Sequence, residues 1–572
     1  MPSVFIFIST KSKNNLKIVK YGGLFKILAY FNYFNNFLTL FILILQKIVE
    51  GAQNEILSLS LIAVFRQNLI YCNCYFWEAI MEKGFDKNLY IKKQKENILK
   101  RIKQFDGKLY LEFGGKLFDD FHAARVLPGF NPNCKIQLLQ ELKDQAEIII
   151  CISAKDIERK KVRADFGISY DQEVLRLIDT FRSLDLLVSG IVITLFDGQP
   201  SALKFQKSLE RRGEKVYIHK FTKGYPSDVN KMVSDDGYGA NPFVETSRAL
   251  VVVTAPGPCS GKLATCLSQM YHEYKRGRKA GYAKFETFPI WNLPLKHPVN
   301  IAYEAATADL KDINMIDYFH YDAYEKVAVN YNRDLETFPI LKNILKKITG
   351  QDIYKSPTDM GVNMVGYGIV NDQVVRQAAK KEIVRRYHNA CCDYKKGITG
   401  EDTVERCKML MSELELNEDF RPVRTETVKL SKNLKLPVVS IELEDGTVVS
   451  GKDHGIISAS SGAVLNALKT LAGINDSITL IAKHILDPIA DLRTKTLGMQ
   501  SKTLSLKETL IALSICSSFD ETAKKAFDML PQLQYCDAHS SHILCGEEEN
   551  LLKSLRISIT SEACFPNSNL YM

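Results

Sequence analysis

Short apolar runs alternate with amphipathic stretches between residues 82 and 276. Such runs, bounded by polar residues, predict strands buried on both faces of a sheet. The predicted strands are Lys108–Phe113, Ile148–Ser153, Ile191–Phe196, Lys215–Phe221 and Ala249–Thr254. The amphipathic stretches predict helices, as in Asp171–Ser183, where Val174, Ile178 and Phe181 share one side. This alternation predicts an α/β fold with a doubly wound, mainly parallel sheet.

Changes in this pattern divide the chain into four predicted regions. Residues 1–80 have a composition of their own, residues 81–280 form a Rossmann-like or P-loop-like α/β domain, and residues 281–420 are mainly helical. Residues 421–572 predict a small α+β domain. It opens with a β-hairpin, because a Glu-Asp-Gly sequence at 444–446 separates two apolar runs.

The first 80 residues are crowded with Phe, Ile, Leu, Asn and Lys and show no amphipathic period. Their uncharged segment, residues 27–46, is about long enough to cross a bilayer, and the five lysines before it would keep that end cytoplasmic. The alternative is a gene-model extension, because the composition is typical of translated AT-rich DNA and changes abruptly at Met81. We favour the extension and keep the membrane anchor as the second interpretation.

Composition and charge narrow the classes of function. The 572-residue chain has a formal net charge of +9, and part of that surplus lies in the extension. No dense basic stripe is present, which argues against a nucleic-acid partner. Thirteen cysteines, an odd number scattered along the chain, are unlike a secreted disulfide framework and favour a reducing compartment. We therefore expect a cytoplasmic protein.

The sharpest local motif is a strand, a glycine-rich turn and a helix at residues 249–265. A turn without bulky side chains lets backbone N–H groups reach an anion at a helix N-terminus. The candidate donors are Gly257, Ser260 and Gly261, with Lys262 as an electrostatic clamp on a phosphate group. The alternative is a structural turn in which Lys262 is solvated.

The motif departs from the P-loop pattern at two positions. Pro256 stands where the first glycine belongs, and Leu263 stands where Ser or Thr binds the metal. Thr265 lies two residues further on and faces another side of the helix. The sequence therefore predicts a P-loop-like, phosphate-binding turn, disfavours a Mg-ATP hydrolase, and identifies no cofactor.

Polar residues also follow the earlier strands. Lys116 follows the first strand, Lys155 the second and Asp197 the third. In open α/β sheets, ligands lie beyond the carboxyl ends of the strands. These residues would suit a phosphorylated or nucleotide-like molecule, with Asp197 as a base or metal contact. We interpret Asp119 and Asp156 as turn formers, and that reading is equally open for Asp197.

Two further segments have open interpretations. Residues 354–368 are dense in Gly, Ser, Thr and Asp and form either a loop that closes over a site or a connection with a helix N-cap at Thr358 or Asp359. Cys536, His539, His542 and Cys545 recur every third residue, as zinc ligands could. Because spacing of three alternates faces along a strand, we place His539 on a strand edge and predict no metal.

Long strings in the chain resemble a bacterial family known as domain of unknown function 1846. They include KLYLEFGGKLFDDFHAARVLPGF (108–130), TAPGPCSGKLATCLSQMYHEYKRG (254–277) and YKSPTDMGVNMVGYG (354–368), and the likeness runs from Met81 to about Phe565. The resemblance implies a soluble protein with an α/β domain, a helical middle and an α+β end, and it implies no activity. Cys259 stands where the family's turn usually has glycine. A side chain at this position would crowd a phosphate.

Two hypotheses of function follow. The first is an enzyme that binds a phosphorylated or nucleotide-like small molecule, with Lys262 and Asp197 as the catalytic candidates. The second is a non-catalytic assembly or regulatory protein with a structural glycine-rich turn. The partners considered are the phosphorylated molecule and another copy of the chain, and a membrane only if residues 1–80 are translated.

Overall fold

The computed structural model describes residues 83–163 and 167–567. The predicted extension, with the candidate membrane segment 27–46, lies outside the described residues. Among the helices that are described, none combines the length and the apolar character that a bilayer crossing requires.

The elements are labelled in chain order. The strands are β1 Leu109–Phe113, β2 Ala146–Ser153, β3 Val162–Arg163, β4 Ile168–Ser169, β5 Leu187–Phe196, β6 Val216–Lys220, β7 Leu250–Thr254, β8 Gly281–Phe285, β9 Asn314–Ile316, β10 Val329–Tyr331, β11 Val438–Glu442, β12 Val448–Lys452, β13 Asp537–Ser540 and β14 Ser558–Ser561. The α-helices are α1 Lys87–Gln104, α2 Phe121–Val126, α3 Cys134–Glu141, α4 Ala154–Glu158, α5 Tyr170–Ser183, α6 Pro200–Arg211, α7 Val229–Met232, α8 Lys262–Lys275, α9 Pro298–Ala306, α10 Tyr318–Tyr324, α11 Asn332–Thr349, α12 Pro357–Met360, α13 Asp372–Lys395, α14 Glu401–Glu413, α15 Pro422–Leu434, α16 Ala459–Ala472, α17 Lys483–Asp491, α18 Leu506–Cys516, α19 Glu521–Phe527 and α20 Gly546–Ser554.

A six-stranded parallel sheet confirms the predicted α/β class. Its order is β6-β5-β2-β7-β1-β8, and every residue of β2 is buried, as expected of a strand covered on both faces. All five predicted strands are present. The sixth, β8, pairs with β1 and begins just beyond residue 280, where we expected the α/β region to end. Gly281 and Lys284 interrupt its apolar pattern, so no buried run marks it in the sequence.

The topology places a switch point at the C-terminal ends of β2 and β7. These strands are neighbours, but the chain leaves β2 towards β5 on one side and leaves β7 towards β8 on the other. Adjacent strands whose connections diverge form the switch point at which α/β sheets bind ligands. The turn at residues 255–261 follows β7 and therefore lies at this point.

The C-terminal part has a sheet and a hydrophobic core of its own. The sheet order is β12-β11-β13-β14, and β11 and β12 form the predicted antiparallel hairpin around residues 444–446. His539 lies on β13, which pairs with β11 on one side and β14 on the other. Our prediction of a strand edge for His539 was wrong, because β14 comes from the end of the chain and covers that edge.

Residues 354–368 pack against the sheet rather than forming an open loop. The Tyr354 hydroxyl donates to the Tyr282 carbonyl at 2.6 Å and accepts from the Tyr282 N–H at 2.9 Å. Ser356, not Thr358 or Asp359, caps α12, because its Oγ accepts from the Asp359 N–H. The segment is therefore a capped connection, which was the second of our two interpretations.

Candidate functional site

The carbonyl groups of the turn at residues 255–261 are held by the protein. Ser260 Oγ donates to the Gly257 carbonyl at 2.7 Å, and Thr194 Oγ1 of β5 donates to the Ser260 carbonyl at 2.8 Å. Because β2 lies between β7 and β5, the turn after β7 extends past β2 to contact β5. Because C=O and N–H point in opposite directions across a trans peptide unit, the Gly261 N–H faces away from Thr194.

The N–H groups of the turn are unoccupied by protein acceptors. Those of Gly257 and of residues 259–264 donate to no atom within the described part of the chain. Gly261, the residue before α8, has no side chain that could cap the helix. The first N–H groups of a helix lack intrahelical acceptors and carry the positive end of its dipole. This arrangement can accept an anionic group such as phosphate.

Close contacts explain why two positions of the turn hold glycine. Gly261 has φ +80°, and a Cβ there would lie 2.8 Å from Thr194 Oγ1. A Cβ at Gly257 would overlap the hydroxyl of Tyr170. Lys161 Nζ lies 5.1 Å from the centroid of the Tyr170 ring. Tyr170 and Lys161 are thus neighbours of the turn that sequence reasoning missed, because neither follows a strand of the main sheet.

Cys259 is the residue of the turn that fits its backbone least well. It is exposed and has φ +57°, in the left-handed region that favours glycine. Glycine would adopt this conformation without the steric cost that cysteine bears.

Replacing Cys259 with glycine is expected to raise the free energy of unfolding by about 0.5–1 kcal/mol. The left-handed conformation costs an L-residue about 1–2 kcal/mol, and part of that gain is offset by the greater freedom of glycine in the unfolded chain. Urea unfolding under reducing conditions measures the change. Cys545→Gly is the matched control, because Cys545 is also exposed but has φ −64° and should gain nothing. An equal change in the two variants, or a loss of stability in Cys259→Gly, would contradict the argument.

Lys262 is half-buried at the first residue of α8, and its charge acts on a buried group of the sheet. Burial raises the pKa of Cys151 to about 12, while the charge of Lys262 opposes this shift and that of Glu112 adds to it. The same two charges shift the pKa of Cys266 on α8 in the same directions. The charges of Lys262 and Glu112 therefore both act on this pair of buried thiols.

The position that would hold a metal in a P-loop carries no free hydroxyl here. Leu263 occupies it, and Thr265 is buried with its Oγ1 donating to the Gly261 carbonyl at 3.0 Å. The turn therefore has the N–H groups and the lysine of a phosphate site without the hydroxyl ligand for Mg²⁺.

The structure does not bring the other predicted residues into contact with the turn. Asp197 is exposed three residues beyond Thr194, and its N–H donates to Gln199 Oε1 at 2.8 Å. Lys155 is exposed at the start of α4. Asp197 and Lys155 make no hydrogen bond or ion pair to residues 255–262 among the described residues. Lys116 is exposed in the loop after β1, and its carbonyl accepts from Lys135 Nζ at 2.9 Å.

A charged cluster at the end of β8 was missed by sequence reasoning. Lys284 Nζ lies 2.7 and 2.8 Å from the two oxygens of Asp334, 2.8 Å from the Tyr331 hydroxyl and 3.0 Å from Glu286 Oε1. Tyr331 also donates to Glu286 Oε1 at 2.7 Å. Lys284 is the register partner of Glu112 on β1, so this cluster lies beside the C-terminal end of β1.

Glu286 is the member of this cluster with the chemistry of a proton acceptor. Burial and the Asp334 carboxylate raise its pKa, against the opposing charge of Lys284. A carboxyl group with a raised pKa keeps its proton to a higher pH than an exposed one does. One signal was available in the sequence, a six-residue repeat that occurs as FETFPI from residue 285 and as LETFPI from residue 335. The first copy contains Glu286, and the second comes directly after Asp334.

The four Cys and His residues that recur every third position near the C-terminus do not form one site. Cys536 and His539 are buried, whereas Cys545 is exposed at the start of α20. His542 Nδ1 lies 3.4 Å from Ser540 Oγ. Among the described residues, only His539 of this set lies in a group that could hold a metal ion.

Two family models match the chain. The model described as "Domain of unknown function DUF1846, N-terminal" matches residues 83–415, and "Domain of unknown function DUF1846, C-terminal" matches residues 419–571. These ranges agree with the resemblance inferred from the sequence strings.

Close relatives carry the name UPF0371 protein. That of Clostridium tetani is 57% identical over 500 residues, which cover 86% of this chain and 99% of the relative. Those of Clostridium botulinum strains Langeland and Alaska E43 are 55% and 54% identical, with the same coverage.

Proposed function

The chain belongs to the DUF1846 family, and from this premise we propose that it binds a phosphorylated or nucleotide-like small molecule at the C-terminal ends of the sheet strands. The turn at residues 255–261 would hold a phosphate group at the N-terminus of α8. Lys262 would act as the electrostatic clamp.

One observation carries this proposal. The N–H groups of Gly257 and of residues 259–264 have no protein acceptor among the described residues, while the carbonyls of Gly257 and Ser260 are bound. Buried or half-buried N–H groups are normally satisfied by protein, water or ligand. A phosphate group would supply several acceptor oxygens at once, in the place where the helix dipole favours negative charge.

The surroundings of the turn support a ligand larger than phosphate. Tyr170 lies against Gly257, Lys161 Nζ lies 5.1 Å from the centroid of the Tyr170 ring, and the charges of Lys262 and Glu112 act on the same buried thiol of Cys151. Asp197 follows β5 beyond Thr194, and Lys155 and Lys116 lie on neighbouring strand-end loops. These charged groups suit a molecule that has a phosphate group and further polar groups. We assign Asp197 the part of a base that approaches once the ligand is bound.

Replacing Lys262 with alanine is expected to weaken phosphate-ligand binding about tenfold, which corresponds to about 1.4 kcal/mol. The reason is the loss of a charge-assisted hydrogen bond at a partly buried position. Thermal-shift assays and calorimetric titration with pyrophosphate, ADP and a sugar phosphate measure the change. Because Leu263 offers no hydroxyl to Mg²⁺, adding Mg²⁺ should leave the affinity of the turn within about threefold.

Lys275→Ala is the matched control for this experiment. Lys275 lies at the other end of α8, is exposed and pairs with Asp235, so its removal should leave binding unchanged. Equal responses of wild type and Lys262→Ala would remove the clamp. A folded wild-type chain that responds to none of these compounds would favour the alternative, a non-catalytic assembly or regulatory protein.

A further inference from the structure

Three side chains from distant parts of the chain converge where α13 meets the C-terminal sheet. They are His388 on α13, His539 on β13 and Glu562 directly after β14. One ligand atom of each lies within 4.8 Å of the other two. Two imidazoles and a carboxylate form a donor set that binds zinc in many proteins.

His388 is an unusual member of this cluster because its Nε2 atom has no partner. The residue is 3% exposed, and the Nε2 atom makes no hydrogen bond within the described residues. Its ring centroid lies 5.0 Å from that of His539. Buried polar atoms are rarely left unsatisfied, so an orphaned imidazole nitrogen beside two further ligand atoms points to a bound ion.

His539 is already oriented as a metal-binding histidine would be. Its Nδ1 lies 2.8 Å from Thr560 Oγ1, and Thr560 is held in turn by Arg421 Nη1 at 2.7 Å and by the Ala538 carbonyl at 3.2 Å. When Nδ1–H donates to Thr560, Nε2 of His539 carries the lone pair and lies 3.0 Å from Glu562 Oε1, so the two atoms would bind one cation together. Such outer partners fix the tautomer and ring orientation of metal ligands.

Two arginines near the cluster have carboxylates of their own. Arg424 Nε lies 2.8 Å from Glu562 Oε1, but this guanidinium also pairs with Glu418 at 2.6 Å and with Asp419 at 2.9 Å. Arg421 is neutralised by Asp537 at 2.6 Å. Their positive charges are therefore largely offset, and the carboxylate of Glu562 can be shared between Arg424 and a cation.

We propose that His388, His539 and Glu562 bind a zinc ion that ties α13 to the C-terminal sheet. The two imidazole Nε2 atoms and one Glu562 oxygen supply three ligands, and water completes a four-coordinate site. The site does not depend on the turn at residues 255–261 and involves none of the residues proposed to bind phosphate.

The test uses the full chain, stripped of metal with a chelator and titrated with Zn²⁺ and with Co²⁺. We expect one Zn²⁺ per chain to survive gel filtration. We also expect Co²⁺ to give the intense visible absorption of a four-coordinate site. His388→Ala should weaken Zn²⁺ binding by about 100-fold or more, and it should fold, because no described hydrogen bond of the His388 ring nitrogen Nε2 is lost.

Two further variants make the result decisive. Glu562→Gln keeps a hydrogen-bonding group for Arg424 and should weaken Zn²⁺ binding by about 10-fold or more. His542→Gln changes a nearby half-buried histidine outside the cluster and should leave Zn²⁺ binding unchanged. A folded wild type that retains no Zn²⁺, or equal Zn²⁺ affinity in wild type and His388→Ala, would overturn the proposal.

Discussion

Replacing Glu382 with glutamine is expected to lower the free energy of unfolding by about 3–5 kcal/mol. The Glu382 carboxylate is fully buried and accepts hydrogen bonds from Arg125, Arg385 and Arg386 over 2.6–3.1 Å. Burial raises the pKa of Glu382, but the charges of Arg125 and Arg386 hold it well below the usual value. A neutral amide would leave these guanidinium groups without their shared counter-charge, which costs far more than the loss of a surface pair.

This glutamate also connects parts of the molecule that are distant in sequence. Arg125 lies on α2, which follows the first strand of the main sheet, and Arg385 on α13 pairs with Asp537 of β13 at 3.1 Å. Losing the Glu382 charge should therefore destabilise the sheet domain and the C-terminal core together.

Urea unfolding followed by circular dichroism measures the effect of Glu382→Gln. Glu405→Gln is the control, because Glu405 is an exposed glutamate on α14, and we expect it to change stability by less than about 0.5 kcal/mol. A loss below about 1 kcal/mol for Glu382→Gln would mean that the three arginines do not depend on this carboxylate.

Acidification from pH 7 to pH 5 is expected to cost the wild type about 2 kcal/mol more stability than it costs His219→Gln. His219 on β6 is 3% exposed, and its Nε2 lies 3.0 Å from the Pro242 carbonyl. Burial lowers the pKa of His219 to about 4, although the hydrogen bond to Pro242 opposes the shift. In the unfolded chain the pKa of histidine is about 6.5.

The sign follows from proton binding. Between pH 6.5 and about 4 the unfolded chain binds a proton at His219 and the folded chain does not, so acid favours unfolding over this range. Glutamine keeps an N–H donor but does not titrate. Urea midpoints at pH 7, 6 and 5 give the slope of stability against pH for the wild type and for His219→Gln. His454→Gln is the control, because His454 is exposed and should leave the slope of the wild type unchanged. Parallel slopes for wild type and His219→Gln would contradict the prediction.

The main sheet could be predicted because its signal is local. A strand buried on both faces must be apolar over several consecutive residues, and β2, β5 and β7 satisfy this requirement. The strand β8 escaped prediction because Lys284, near its C-terminal end, is charged, and that charge is tolerated only because Asp334 and Glu286 surround it.

The candidate site likewise has a part that could be predicted from the sequence and a part that could not. Gly257, Ser260, Gly261 and Lys262 lie on one continuous turn, so their proximity could be predicted from the strand and helix that flank them. The approach of Thr194 to this turn depends on the strand order, in which β2 separates β5 from β7. Nothing in a local pattern specifies that order.

The sequence by itself determined the α/β class, the strands of continuous apolar character and the strand–turn–helix arrangement of residues 249–265, because hydrophobic burial and backbone conformation act over a few neighbouring residues. The tertiary structure alone decided that Glu382 gathers three arginines, that His539 lies inside a sheet and that His388 meets Glu562. Ion pairs and clusters of potential metal ligands form between residues that are distant in sequence. They therefore depend on how the strands and helices pack.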